Sequence, residues 1–267
     1  MDQERLSKLK KLPSLGVHPY PEKYLDTVSS TQAKVMAEKN KPRDTKEVME
    51  DAQKSLRIAG RMMTFRSHGK LSFAQLQDFE GRIQIAFVKG VTEVVKNMKE
   101  SEGDGSSEEM PAHKFWEKML DLGDYIGLEG ELFITNHGET TLMVKELTFL
   151  GKSLHPLPEK FHGLNDEETI LRQRYLDTLT SEESRKRFKM RSDFIKELRK
   201  FMWENKFDEV ETPTLEHGAT GAAAKPYNTH NNALDIDLVL RISQELPLKK
   251  VIIGGFERVF EIGKAFR

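Results

Sequence analysis

The chain has 267 residues, with 42 lysines and arginines against 43 aspartates and glutamates, 37% hydrophobic residues and no cysteine. That length suits about two domains, and the missing cysteines exclude a disulfide scaffold, a thiolate metal site and a cysteine nucleophile. The apolar stretches fall far short of the ~20 residues of a membrane span and the N-terminus opens no secretory signal, so a cytoplasmic protein is expected, whose net charge of −1 gives no hint of a polyanionic partner.

Residues 1–54 read as an N-terminal helical arm. Leu6, Leu9 and Leu12 have helical spacing before Pro13, Gly16, Pro19 and Pro21 interrupt it, and the polar stretch from about 26 to 54 offers few anchors. Residues 55–152 read as strands. Ser55–Met62 alternates apolar and polar side chains, a turn at 67–70 leads into Leu71–Asp78, and a second at 79–81 leads into Arg82–Phe87. Ser101–Met110 is a Gly, Ser and acid-rich stretch that predicts a mobile loop. Phe115, Met119 and Leu122 have helical spacing, and strands at 125–133 and 140–150 flank an Asn136-His137-Gly138 turn. Five short strands with a helix between the third and fourth follow the order of an OB-fold barrel.

Residues 153–180 form a connector stiffened by Pro156 and Pro158. Residues 181–267 change character. Thr180 and Glu183 predict a capping box with Thr180 as N-cap, and Phe188, Arg191, Phe194, Ile195, Leu198, Phe201 and Met202 mark one face of a long helix. A strand at 207–212 stopped by Pro213, a Gly/Ala loop at 218–224, an extended 233–241, a helix at 244–250 and a strand at 258–266 predict an α+β arrangement. Residues 172–206 hold 11 basic and 6 acidic side chains, and the run around Arg185 reads by default as a solvated helix face.

Three groups of residues could carry chemistry. Arg66, Phe73, Gln84 and Glu139 lie on the barrel, where an aromatic ring can stack a base and an amide can read a base edge. The small-residue loop from Thr220 to Tyr227 would let a backbone approach a ligand closely, although it lacks the glycine spacing of a phosphate-cradling loop. Glu245, Arg258, Glu261 and Arg267 could hold an ammonium group and a phosphate. Taken from spacing alone, Phe73 would be a core residue and Arg66, Gln84 and Glu139 plain surface, the small-residue loop merely flexible, and the third group surface salt bridges.

These stretches together resemble the class II lysyl-tRNA synthetase family. Leu76-Gln77-Asp78 and Gly81-Arg82-Ile83-Gln84 resemble its anticodon-binding OB domain. Phe161-His162-Gly163-Leu164 and Arg172-Gln173-Arg174-Tyr175-Leu176-Asp177 resemble the passage into its catalytic domain. Phe207–Pro213 looks like motif 1, and Gly254–Arg267 like the start of motif 2. The resemblance implies an OB barrel followed by the first part of an antiparallel-sheet catalytic domain. It also implies activation of lysine with ATP and magnesium, transfer to tRNA(Lys), and a homodimer built through motif 1, with the 184–205 helix and Pro213 at its interface. Arg66, Phe73, Gln84 and Glu139 would contact the anticodon, Gly221 and Glu245 the lysine amino group. Arg267 is similar to the catalytic motif 2 arginine on the ATP α-phosphate.

Departures accompany the likeness. Thr220-Gly221-Ala222 stands for the family's Gly-Gly-Ala, Ser243-Gln244-Glu245-Leu246 for Ala-Pro-Glu-Leu, and Lys206 for a glycine. The family's metal ligands lie beyond Arg267, so none is expected within this chain. A chain that stops inside motif 2 is expected to show no lysine-dependent ATP–pyrophosphate exchange alone. A non-catalytic tRNA-binding module and one half of a split synthetase are the alternatives.

Overall fold

The computed structural model describes residues 2–39, 42–98, 109–157 and 166–267. The chain forms two compact units, Met1–Glu159 and Lys160–Arg267. The Phe161–Leu164 stretch and most of the 101–110 loop lie outside the described residues.

The first unit is built on β1 (Leu56–His68), β2 (Leu71–Gln77), β3 (Arg82–Val88), β5 (Tyr125–Ile134) and β6 (Thr140–Gly151), with a two-residue β4 (Glu93–Val94) beside β6. The sheet order is β3-β2-β1-β5-β6-β4, and β3 returns to pair in parallel with β6 over Gln84–Ala86. The result is a partly open OB-fold barrel, closed by a short seam. Period-2 alternation decides which way each strand faces. Ile83, Ile85 and Phe87 of β3 enter the core with Ile58, Leu76, Leu128, Leu142 and Val144 from the other strands. The helix α4 (Ala112–Lys118) adds Phe115 and Trp116 to that core, and the Trp116 ring stacks on Phe87 at 5.5 Å.

The N-terminal arm is helical as expected but has more anchors than its polar sequence suggests. Residues ahead of the barrel fold into α1 (Gln3–Lys11), α2 (Ser30–Lys39) and α3 (Thr45–Glu50), and Leu12, Leu15, Val17, Ala33 and Ala37 are buried in the barrel core. Val48 and Ala52 close a second cluster with Ala86, Phe133 and Met143 on the outer side of the sheet. Apart from Leu12, these anchors escape a periodicity reading because they are single residues around breaks or small alanines. Polar contacts add to them. Asp78 accepts from the Ser30 hydroxyl at 2.7 Å, and the Arg5 guanidinium donates to the carbonyls of Leu122 and Ser153.

A buried charge network fastens α1 to the end of the barrel. The Lys152 side chain is wholly inaccessible and donates to Met119 O and to Asp124 Oδ2, both at 2.7 Å. It also pairs with Asp121, which takes Lys8 of α1 at 2.8 Å. Burial pushes the Asp124 carboxyl above its ordinary range, against the pull of Lys152 and of the Ser153 and Asp121 amides. Burial acts the same way on Asp121, but hydrogen bonds from Lys152 and Lys8 outweigh it and hold that carboxyl low.

The second unit holds α5 (Glu167–Arg172), α6 (Arg174–Thr180) and the 23-residue α7 (Glu182–Glu204), so helix already occupies the later part of the expected 153–180 connector. The N-cap of α7 is Ser181, which accepts from the Ser184 amide, and not Thr180. The Thr180 hydroxyl is used instead to close α6, donating to Leu176 O at 2.9 Å. The basic run is paired within the helix, Lys186 to Glu182 and Arg187 to Glu183, as i,i+4 surface pairs of small energetic weight. The long strands expected at 207–212 and 258–266 shrink to β7 (Asp208–Glu209) and β11 (Val259–Phe260), which pair in parallel. The extended 233–241 stretch becomes β10 (Ile236–Leu240), central in an antiparallel sheet between β8 (Leu215–Glu216) and β9 (Asn228–Asn231). A helix α8 (Glu245–Ile253) follows. No helix among the described residues is long and apolar enough to cross a membrane.

Candidate nucleic-acid interface and class II site

Two rows of side chains cross the outer face of the barrel. Arg66 of β1 is opposite Phe73 of β2, which is opposite Ala86 of β3, which is opposite Met143 of β6. One step along, Thr64, Gln75, Gln84 and Thr141 follow each other across the same strands. Arg66 is exposed, and its side chain makes no hydrogen bond or ion pair with another described residue. Phe73 is half-buried and packs against the cluster of Val48, Ala86, Phe133 and Met143. A ring seated in this way is held at little further entropic cost and keeps a surface on which a base can stack. It is only partly buried, short of the plain core residue that spacing alone suggested.

Gln84 and Glu139 are brought together although 55 residues separate them. The Gln84 amide donates to Glu139 Oε2 at 2.6 Å, and its carbonyl oxygen accepts from the Thr141 hydroxyl at 2.6 Å. Glu139 is presented by the β5–β6 turn, which closes on itself through Thr135 N to Glu139 O and Glu139 N to Thr135 Oγ1. All four expected residues therefore belong to the outer face of the barrel or the turn bordering it. Thr64, Gln75 and Thr141 complete the second row and were not singled out from sequence. Gln75 could have been found from its position two residues after Phe73, since i and i+2 share a face. Thr141 could not, because its contact depends on the β3–β6 seam.

In the second unit Gly221 and Glu245 also meet. Gly221 has φ of +79°, and a Cβ there would lie 3.0 Å from Ser243 Oγ and 3.1 Å from Glu245 Cβ, so backbone conformation and crowding both require glycine. Glu245 opens α8, and its amide donates to Ser243 Oγ. Its exposed carboxylate pairs with Lys249 at 2.6 Å, and that hydrogen bond holds it below the ordinary carboxylate range. Arg267 is exposed, with its Nε donating to Ile242 O at 3.1 Å. The stretch 241–245 thus touches all three expected residues: Ile242 holds Arg267, while Ser243 and Glu245 crowd Gly221. Arg258 and Glu261 have structural uses. Arg258 donates to Asn205 O, and Glu261 is buried against Arg241. Among the described residues no group of three or more histidine, aspartate and glutamate side chains converges on a point where a metal ion could bind.

Residues 56–150 match the family of OB-fold nucleic acid binding domains, and residues 166–267 match the class II tRNA synthetases (D, K and N). The chain is 45% identical over 263 residues to a lysine–tRNA ligase of Streptococcus mutans, covering 98% of this chain and 49% of the relative. A Lactococcus lactis lysine–tRNA ligase is 43% identical over 263 residues, with the same coverage, and one from Thermosipho africanus is 41% identical over 265 residues, or 99% of this chain and 49% of the relative. The chain spans about half the length of the curated relatives it matches. Residues 166–267 thus match the class II tRNA synthetases (D, K and N), and the chain is similar over nearly all its length to about half of each lysine–tRNA ligase it matches.

Proposed function

We propose that this chain supplies the anticodon-reading domain and the first part of the catalytic domain of a lysine–tRNA ligase that acts in the cytoplasm. The observation that carries this reading is the outer barrel face, where Arg66, Phe73 and Gln84 lie on adjoining strands, with Glu139 on the bordering turn, in a chain akin to lysine–tRNA ligases over nearly all its length. Phe73 stacks an anticodon base, the Gln84 amide reads a base edge, Glu139 supports that amide, and Arg66 neutralises backbone phosphate.

In the second unit the Glu245 carboxylate receives the α-ammonium of lysine in place of Lys249, and Gly221 gives the amino acid room against the backbone. The lysine carboxylate attacks the α-phosphorus of ATP, pyrophosphate leaves, and the terminal ribose hydroxyl of tRNA then takes the lysyl group with release of AMP. Arg267 holds the α-phosphate as negative charge builds there. Magnesium belongs to this reaction class, but no described side chains gather to hold it and no step here is assigned to it.

Binding of a hairpin RNA carrying the lysine anticodon, measured by fluorescence anisotropy, tests the reading. Phe73→Ala is expected to weaken binding by about 5- to 150-fold, the range for losing one base–aromatic stack. Equal binding by the variant would exclude stacking at Phe73.

The same reading includes a homodimer. Met190, Phe194, Leu198 and Phe201 form one apolar stripe on α7 yet are exposed, Phe194 by 65% and Phe201 by 59%. An exposed stripe of this kind marks a protein–protein surface. The chain is expected to sediment as a dimer, and Phe194→Asp is expected to shift it to monomer. A monomeric parent at all concentrations would count against this part of the proposal.

A further inference from the structure

We propose that Thr141 is a positioning residue that fixes which way round the Gln84 amide faces, and that this lets the barrel tell a keto base from an amino base in the anticodon. The inference rests on the anticodon-reading proposal above and adds to it the origin of its specificity.

A neutral carboxamide has two N–H donors and a carbonyl oxygen with two lone pairs. Rotated by half a turn it keeps almost the same shape with donor and acceptor exchanged. The base edges differ in the same sense. Uracil presents a keto oxygen beside a ring N–H, whereas cytosine presents an amino group beside a ring nitrogen acceptor. A freely turning amide pairs with either. An amide held one way round pairs with one class and opposes the other with two donors and two acceptors face to face.

Two partners hold Gln84. The Glu139 carboxylate can only accept, so the NH2 group must face it at 2.6 Å. The carbonyl oxygen then faces Thr141, so the hydroxyl must donate, also at 2.6 Å. A second acceptor for that hydroxyl, Glu139 O, is farther away at 3.3 Å. One N–H and one lone pair of Gln84 remain for a base.

The two partners are not equivalent. Glu139 is exposed on a turn and can swing away as RNA approaches. Thr141 has no accessible surface, and its backbone is fixed on both sides, opposite Gln84 on β3 and Phe133 on β5. Its neighbours Leu142, Met143 and Val144 are all apolar and buried. A hydroxyl in such surroundings is costly unless it is hydrogen-bonded, and Gln84 is the side chain that receives it. Thr141 is therefore the rigid stop, and a flipped amide would leave its hydroxyl without this acceptor while setting the Gln84 oxygen against the Glu139 carboxylate.

The test compares hairpins with the lysine anticodon UUU and with each U changed singly to C, bound to the whole chain. The parent is expected to disfavour C at one position by about 5- to 150-fold. Thr141→Val and Thr141→Ala both remove the hydroxyl, one with and one without its volume. Each is expected to cut that preference about tenfold, chiefly by tighter binding of the C hairpin. Thr141→Ser keeps the hydroxyl and is expected to keep the preference. A change that follows side-chain volume instead of the hydroxyl, or an undiminished preference in both hydroxyl-free variants, overturns the role of Thr141 while leaving anticodon reading intact. A parent that binds every hairpin alike overturns both.

Discussion

Replacing Lys152 by methionine is expected to destabilise the first unit by about 3–5 kcal/mol, the usual cost of breaking a buried ion pair from one side. Methionine fills much of the same space, so the loss is electrostatic and not a cavity. Lys152 donates to Met119 O and Asp124 and pairs with Asp121, and neither its side chain nor that of Asp124 has accessible surface. Without the ammonium group, Asp124 keeps only the Ser153 and Asp121 amides as partners, and its charge is left inside the barrel end. The effect also carries a pH signature. Burial already raises the Asp124 carboxyl in the folded chain, so its ionised form is disfavoured there, and the variant can relieve its unpaired charge by taking up a proton as pH falls. Asp121 is held low by Lys152 and Lys8, so its contribution to the parent is present above its ordinary range near 3.8 and disappears as pH falls through its lowered value. Both shifts have the same consequence: the gap between parent and variant is widest near neutrality and narrows in acid. Urea unfolding followed by the fluorescence of Trp116, which sits in the barrel core, measures it. A loss below about 1 kcal/mol at neutral pH would place the network among ion pairs of surface strength.

The first strands of the barrel were legible because they alternate. Ile83, Ile85 and Phe87 could be assigned to the inside and Gln84 to the outside by period 2 alone, whereas the register of Arg66 beside Phe73 is set by a tight 69–70 turn, shorter than the 67–70 turn expected from sequence. Contacts set by closure of the barrel were not legible. Nothing local in the sequence announces that Gln84 will meet Thr141, 57 residues away, across a parallel seam. Lys152, Asp124 and Lys8 likewise read as three ordinary surface charges, since long-range burial, and not residue type, makes them a network. The anchoring of the arm was underestimated for a related reason: Leu15 and Val17 form no stripe, and what buries them is the surface they meet. In the second unit, Gly221 and Glu245 came from family likeness and prove adjacent, whereas Arg241 was passed over because an arginine at a strand end ordinarily reads as solvent-exposed.

That arginine carries the second large effect. Arg241 is only 4% exposed, and its guanidinium meets two separate stretches of chain. Nη1 donates to Thr212 O and Oγ1 just before Pro213, and it pairs with Glu261 at 2.6 Å. Nε donates to Lys264 O at 2.9 Å, and the Thr212 hydroxyl donates in turn to Glu261. Gly263 leaves the room required, since a Cβ there would lie 2.3 Å from Nη2. The Arg241 carbonyl receives the Phe266 amide, and the next carbonyl, Ile242 O, receives Arg267. One side chain thus ties the stretch resembling motif 1 to the one resembling motif 2 and sets the path of the backbone to the arginine proposed to hold ATP. Arg241→Met leaves Glu261 buried without a cation and is expected to destabilise this unit by about 3–5 kcal/mol. Arg241→Lys is expected to do nearly as badly, because a single ammonium cannot reach Thr212, Glu261 and Lys264 as the planar fork does. Thr212→Val removes one hydroxyl and should cost only about 1 kcal/mol. Hydrogen exchange separates these outcomes from general loosening. Protection at the amides of Val210 and Phe266, which bond to Phe260 O and Arg241 O, should fall together in both Arg241 variants, while the amides inside α7 keep theirs. Unchanged exchange at Phe266 in Arg241→Met would show that the backbone leading to Arg267 is held by the strand pairing alone.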